Sequence, residues 1–168
     1  MLTALAALTV MAAASPKVIY KPDPAVATDV GSVSLAPSID KTCFEAVLTQ
    51  LMASSRKSDR ARSTYLSVTL AAASGLPSKI TGAAWGEDKT LKLVNLRTGD
   101  VACHEYVCPV GSTAIFALDD QALAAARGGG LTVRVASDIG SGCGLTLTLP
   151  AAPLDALDRW AEALPKPK

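Results

Sequence analysis

The chain has 168 residues, enough for one domain with a core of its own. Hydrophobic residues make up 49% of it but aromatics only 4%, so leucine, valine, isoleucine and alanine must fill that core. The formal charge is +1, from 16 basic and 15 acidic side chains; so balanced a chain sets up no strong field for nucleic acid or anionic lipid, and no nucleic-acid partner is expected.

Residues Met1 to Ala14 read as a secretory signal peptide. Leu2 to Met11 is an apolar run of h-region length, too short to span a bilayer, and Ala12-Ala13-Ala14 supplies the small residues a signal peptidase accepts. No integral membrane segment is expected after cleavage. Residues 15–37 hold Pro16, Pro22, Pro24 and Pro37 with little periodicity and read as an extended lead-in. Residues 38–165 then read as a single β-rich, disulfide-bonded domain. An export leader places it outside the cytoplasm.

The segment from Thr42 to Met52 fits a helix moderately well and a strand equally. Past it, Ser54 to Arg62 is a polar turn, and Ser63 to Leu70 alternates as a strand does, which suggests a hairpin. Within that turn Arg56-Lys57-Ser58-Asp59-Arg60-Ala61-Arg62 gathers four cations around one acid. Gly75 to Pro77 breaks the chain. Ile80 to Trp85 reads as a short strand, Gly86 to Lys89 as a turn, and Thr90 to Leu96 as an alternating strand. Arg97-Thr98-Gly99-Asp100 has the chemistry of another turn before Val101 to Tyr106. Ser112 to Leu118 is a strand candidate. Asp119 has the look of an N-cap to a helix over Asp120 to Arg127, which Gly128-Gly129-Gly130 ends, with Arg127 at the negative end of its dipole. Leu131 to Ser137 and Cys143 to Leu149 alternate strongly around a loop at Asp138 to Gly142. The chain closes on a helix with Pro153 in its first turn, Asp155 and Asp158 toward its positive end, and Leu154, Leu157, Trp160 or Ala161, and Leu164 on one face. Pro165 stops it. Short strands with one inserted helix and one terminal helix make a mainly β domain, an antiparallel sandwich or a barrel-like fold.

The four cysteines are Cys43, Cys103, Cys108 and Cys143, an even count that in an exported chain reads as two disulfides. Of the three possible pairings, the preferred one closes a local loop between Cys103 and Cys108, beside Pro109, and leaves Cys43 with Cys143. A redox unit needs C-x-x-C at a helix N-terminus, and the spacing here is C-x4-C. Cys103, His104 and Cys108 lack the spacing of common zinc sites, so neither metal nor cofactor is expected.

His104 is the one histidine, so a Ser-His-Asp hydrolase would have to use it. Gly140-Ser141-Gly142-Cys143-Gly144 offers Ser141 but lacks the G-x-S-x-G form and the strand-to-helix context that exposes a nucleophile. Trp85 has small neighbours, Gly82, Ala83, Ala84 and Gly86; burial in the core is favoured, with an exposed binding contact as the alternative.

From Cys43 onward the order of features resembles the invasion-associated locus B family of exported bacterial proteins. The resemblance is carried by Cys43 with Gln50, the basic hairpin tip, Leu66-Ser67-Val68-Thr69-Leu70, and Cys103 with Cys108. Ala114-Ile115-Phe116-Ala117-Leu118-Asp119-Asp120, the glycine-terminated helix, Leu131-Thr132-Val133-Arg134-Val135 and the closing helix complete it, over about residues 41 to 164. It implies a β-rich periplasmic or secreted domain without catalytic residues. The expected function is therefore contact with a protein partner, with Arg56, Lys57, Arg60 and Arg62 of the tip and Trp85 as candidate contacts. The alternatives are a small exported enzyme inhibitor, or a hydrolase using Ser141 and His104.

Overall fold

The computed structural model describes residues 16–23, 25–37, 43–72, 78–100, 110–139 and 143–165. The leader, the break at Gly75 to Pro77, the Val101 to Tyr106 segment, Cys103, His104, Cys108 and Ser141 lie outside the described residues. In chain order the elements are β1 (Ile19–Tyr20), β2 (Thr28–Leu35), β3 (Phe44–Arg56), β4 (Arg62–Ala72), β5 (Ile80–Trp85), β6 (Lys89–Thr90), β7 (Lys92–Asp100), β8 (Val110–Leu118), α1 (Asp120–Gly129), β9 (Leu131–Ser137), β10 (Leu145–Leu149) and α2 (Ala151–Glu162).

Two antiparallel sheets form. One has six strands in the order β1-β2-β3-β4-β8-β7, the other four in the order β10-β9-β5-β6. Period-2 alternation decides which face each strand buries. β4 buries Leu66, Val68 and Leu70, and β8 sets Phe116 beside Leu66 and Ala114 beside Val68. The smaller sheet answers with Leu131, Val133 and Val135 on β9 and Leu145, Leu147 and Leu149 on β10. These side chains form one continuous core between the sheets, and each fully buried leucine or valine contributes about 1.5–3 kcal/mol. The architecture is a β-sandwich; among the described residues the sheets do not close into a barrel.

α2 covers the part of the six-stranded sheet that the smaller sheet does not reach, above β2 and β3. Trp160 lies on Gly31 of β2, where an added Cβ would sit 2.7 Å from the indole, so only glycine lets the helix approach this closely. The ring of Tyr20 meets Trp160 edge-on, with centroids 5.4 Å apart. The opposite face of the six-stranded sheet carries no covering layer among the described residues. Ser32, Ser34, Gln50, Ser67 and Thr69 line it, as suits a sheet with one face toward water.

Several expectations need correction. The ambiguous stretch at 42–52 is strand from Phe44 onward, because Leu51 must alternate inward opposite Leu66. The lead-in contains β2, a full strand of the sheet. The expected turn at Arg97 to Asp100 is the second half of β7, which pairs with β8 through Asp100. α1 runs two residues beyond Arg127, through Gly129, before Gly130 turns away at φ +95°. α2 starts at Ala151 with Pro150 as its cap and has no acid in its first turn, so Asp155 and Asp158 do not serve its dipole. Asp158 instead meets Arg127 of α1 at 2.8 Å.

Cys43 and Cys143 form a disulfide, with Cα atoms 5.5 Å apart across 100 positions of sequence. It joins the start of β3 to the approach to β10 and so ties one sheet to the other.

Candidate interaction surface

The basic hairpin tip between β3 and β4 is folded onto β2, the segment just before it and the residues just beyond α2. Arg60 sits at φ +58°, a left-handed conformation that costs a residue with a Cβ about 1–2 kcal/mol. It is held there because its guanidinium bonds Asp29 of β2 at 2.9 Å and donates to the Pro165 carbonyl beyond α2. Lys57 lies 3.8 Å from the same carboxylate and donates to the Asp23 carbonyl. Arg56 pairs with Asp59 at 2.8 Å. Three of the four tip cations are therefore engaged within the molecule, and Arg62 alone of them faces elsewhere.

Asp29 is the centre of this cluster. It is buried, accepts a 2.8 Å hydrogen bond from the Tyr20 hydroxyl, and receives Arg60 and Lys57. Burial pushes its carboxyl up, but the hydrogen bonds from Arg60 and Tyr20 and the charges of Lys57 and Arg60 outweigh that and hold it below the usual carboxylate range. The same hydrogen bond raises the Tyr20 hydroxyl above its ordinary value, with desolvation and the Asp29 charge adding to it.

Trp85 is the second candidate contact, and the structure places it as the favoured reading had it, in the core, rather than as the exposed alternative. The side chain is 9% exposed and belongs to the core. Ala83 is buried in the same core, whereas a Cβ added at Gly82 or Gly86 would meet open space, so those two glycines are not there to admit the indole. Lys89 covers the ring, its ammonium 4.5 Å from the centroid, and also donates to Gln121 of α1 at 3.2 Å.

One open surface lies where β4, β7 and β8 meet α1. A groove of about 820 Å³ runs there, with Arg62 and Tyr65 of β4 on one side and Lys92, Leu93 and Val94 of β7 on the other. Asp120, Leu123 and Arg127 of α1, with Asp158 of α2, complete its lining. Arg127 and Asp158 neutralise each other, whereas Arg62 and Lys92 have no ion-pair partner among the described residues. Leu93 and Val94 are 44% and 53% exposed. They flank a bulge: the β7–β8 register skips Val94 between Leu93 and Asn95, which leaves one more residue on β7 than β8 can match.

Of the tip residues, Arg62 reaches this groove while Arg56, Lys57 and Arg60 do not line it. The sequence does not mark Tyr65, Lys92, Leu93 or Val94 as contacts, and it marks Arg127 only as the cation at the end of a helix. The adjacent pair Leu93-Val94 inside an alternating strand was the one local signal, since two neighbouring apolar residues cannot both follow a period of two. Among the described residues no group of three or more His, Cys, Asp or Glu side chains is placed to hold a metal ion. No helix among them is long and apolar enough to cross a membrane.

Comparisons with protein-family models, with curated proteins and with solved structures find no match for this chain.

Proposed function

We propose that this chain is an exported bacterial domain, periplasmic or secreted, that acts by contact with another protein and carries no chemistry of its own, as its resemblance to the invasion-associated locus B family implies. The observation that carries the reading is the exposed Leu93-Val94 pair in a charge-rimmed groove. Apolar surface ringed by polar groups is the usual composition of a site that partners cover. The Cys43–Cys143 bridge supports the compartment, because structural disulfides persist where the surroundings are oxidising.

A photo-crosslinking residue at position 94 tests this in intact cells, with the same residue at the exposed turn position Glu87 as control. A discrete adduct from position 94 and none from 87 is the expected result. Absence of any adduct from 94, with the chain present in the envelope or medium, would sink the reading. So would recovery of the chain in the cytosol with Cys43 and Cys143 reduced.

A further inference from the structure

The groove continues into a free sheet edge. β7 is the last strand of the six-stranded sheet, and among the described residues no strand pairs with its outer side. Such an edge presents a row of backbone donors and acceptors that another extended chain can satisfy. Nearly all of β7 is exposed, so nothing described stands between that row and solvent. We propose that this edge takes an extended acidic peptide strand from a partner protein, which adds to the sheet beside β7. The proposal deepens the binding reading above and rests on it.

The charge pattern selects the occupant. Lys92 and Arg97 are both exposed, and neither has an ion-pair partner among the described residues. They pair with Ala117 and Thr113 of β8, four positions apart on one face of the sheet, because the bulge at Val94 absorbs the odd residue between them. A strand on the other side of β7 that follows the same ladder meets the two cations with residues spaced i and i+4. Directly opposite residues lie about 4.5–5.5 Å apart, where opposite charges attract and like charges repel. Carboxylates at i and i+4 are therefore favoured, and lysines there are rejected.

The groove lies at the Lys92 end of this edge. Leu93 and Val94 offer an apolar seat for one side chain of the incoming strand, and Arg62 adds a third cation beside it. A second copy of the chain is the competing occupant. Edge lysines, edge arginines and bulges are the devices that keep sheet edges from pairing with their own kind, and β7 carries all three.

The test uses the full disulfide-bonded chain and two labelled synthetic peptides of about ten residues, the length of a long strand. Both alternate valine and threonine; one carries glutamates at i and i+4, the other lysines. Fluorescence anisotropy is expected to show the glutamate peptide binding at least about tenfold more tightly, ~1.4 kcal/mol. The double variant Lys92→Glu, Arg97→Glu should reverse the preference, and both positions are exposed, so an unchanged thermal midpoint certifies the fold. Amide exchange along β7 should slow when the glutamate peptide is bound. Equal binding of the two peptides, or no binding of either, would overturn the proposal. So would sedimentation showing a dimer that the double variant dissociates, since a second copy then occupies the edge. If the peptides fail while position 94 still crosslinks, the acidic-strand chemistry is wrong and the contact reading stands; if both fail, the reading falls with it.

Discussion

A carboxylate buried beneath three polar partners makes stability depend on pH, and Asp29 is such a group. Tyr20, Lys57 and Arg60 face it, and together they lower its pKa in the folded state. A depressed carboxylate contributes stability that is fully present above the unfolded value of about 4 and is lost as pH falls through the lower folded value. Urea midpoints should therefore hold from about pH 7 to 5 and fall below about 4. Asp29→Asn should be less stable at neutral pH, and its decline in acid should be shallower. Asp59, lowered chiefly by the hydrogen bond from the Ala61 amide, titrates over the same limb, so the substitution flattens the decline without abolishing it. Identical acid slopes in the two proteins would remove Asp29 from this role.

At the scale of the element, α1 shows how much one side chain can set. Asp119 has extended backbone at φ −77°, ψ 172°, and its carboxylate accepts from the Ala122 amide at 2.8 Å. Asp119→Ala should cost about 1 kcal/mol in urea unfolding, and Asp119→Ser should recover most of it. An unchanged midpoint in the alanine variant would mean that packing of Ala122 and Ala126, both fully buried, fixes the helix unaided. That cap was legible in the sequence, as were β9 and β10, because their Leu and Val residues alternate without exception. β2 was not: its inward positions are Asp29, Gly31 and Val33, chosen to fit Arg60 and the indole of Trp160 rather than a leucine layer, so no apolar period survives. The end of β7 was hidden for the opposite reason, since an exposed edge tolerates Arg97-Thr98-Gly99-Asp100, the composition of a turn. Trp85 was ambiguous because small neighbours accompany both a displayed ring and a ring that needs room. The groove left almost no local trace, for its walls come from β4, β7, β8, α1 and α2, and only the fold brings them together.

The whole molecule is fastened at its two ends by different chemistry. At the hairpin-tip end, Asp29, Lys57 and Arg60 tie the β3–β4 turn to β2 and to Pro165, and the groove opens at the same end beside Arg62. At the other end, where Phe44 pairs with Ala72, the Cys43–Cys143 bridge joins the sheets. The ten steps of β4 from Arg62 to Ala72 put about 33 Å between them. A crosslink spanning 100 positions restricts the unfolded chain and is worth about 4–5 kcal/mol on chain-entropy grounds. The double variant Cys43→Ala, Cys143→Ala should therefore lose about that much in urea unfolding while remaining folded in buffer only if the sandwich core has stability to spare. Because neither cysteine lies on β7 or on its neighbour β8, and the groove is at the far end from the bridge, the variant should bind the glutamate peptide as the parent does at any temperature where it is folded. A stability loss under about 1 kcal/mol would mean that the unfolded chain is already restrained without the bridge. A loss of peptide binding in the folded variant would mean that the two ends are coupled through β4 and β8, and that the disulfide shapes the binding edge as well as the domain's stability.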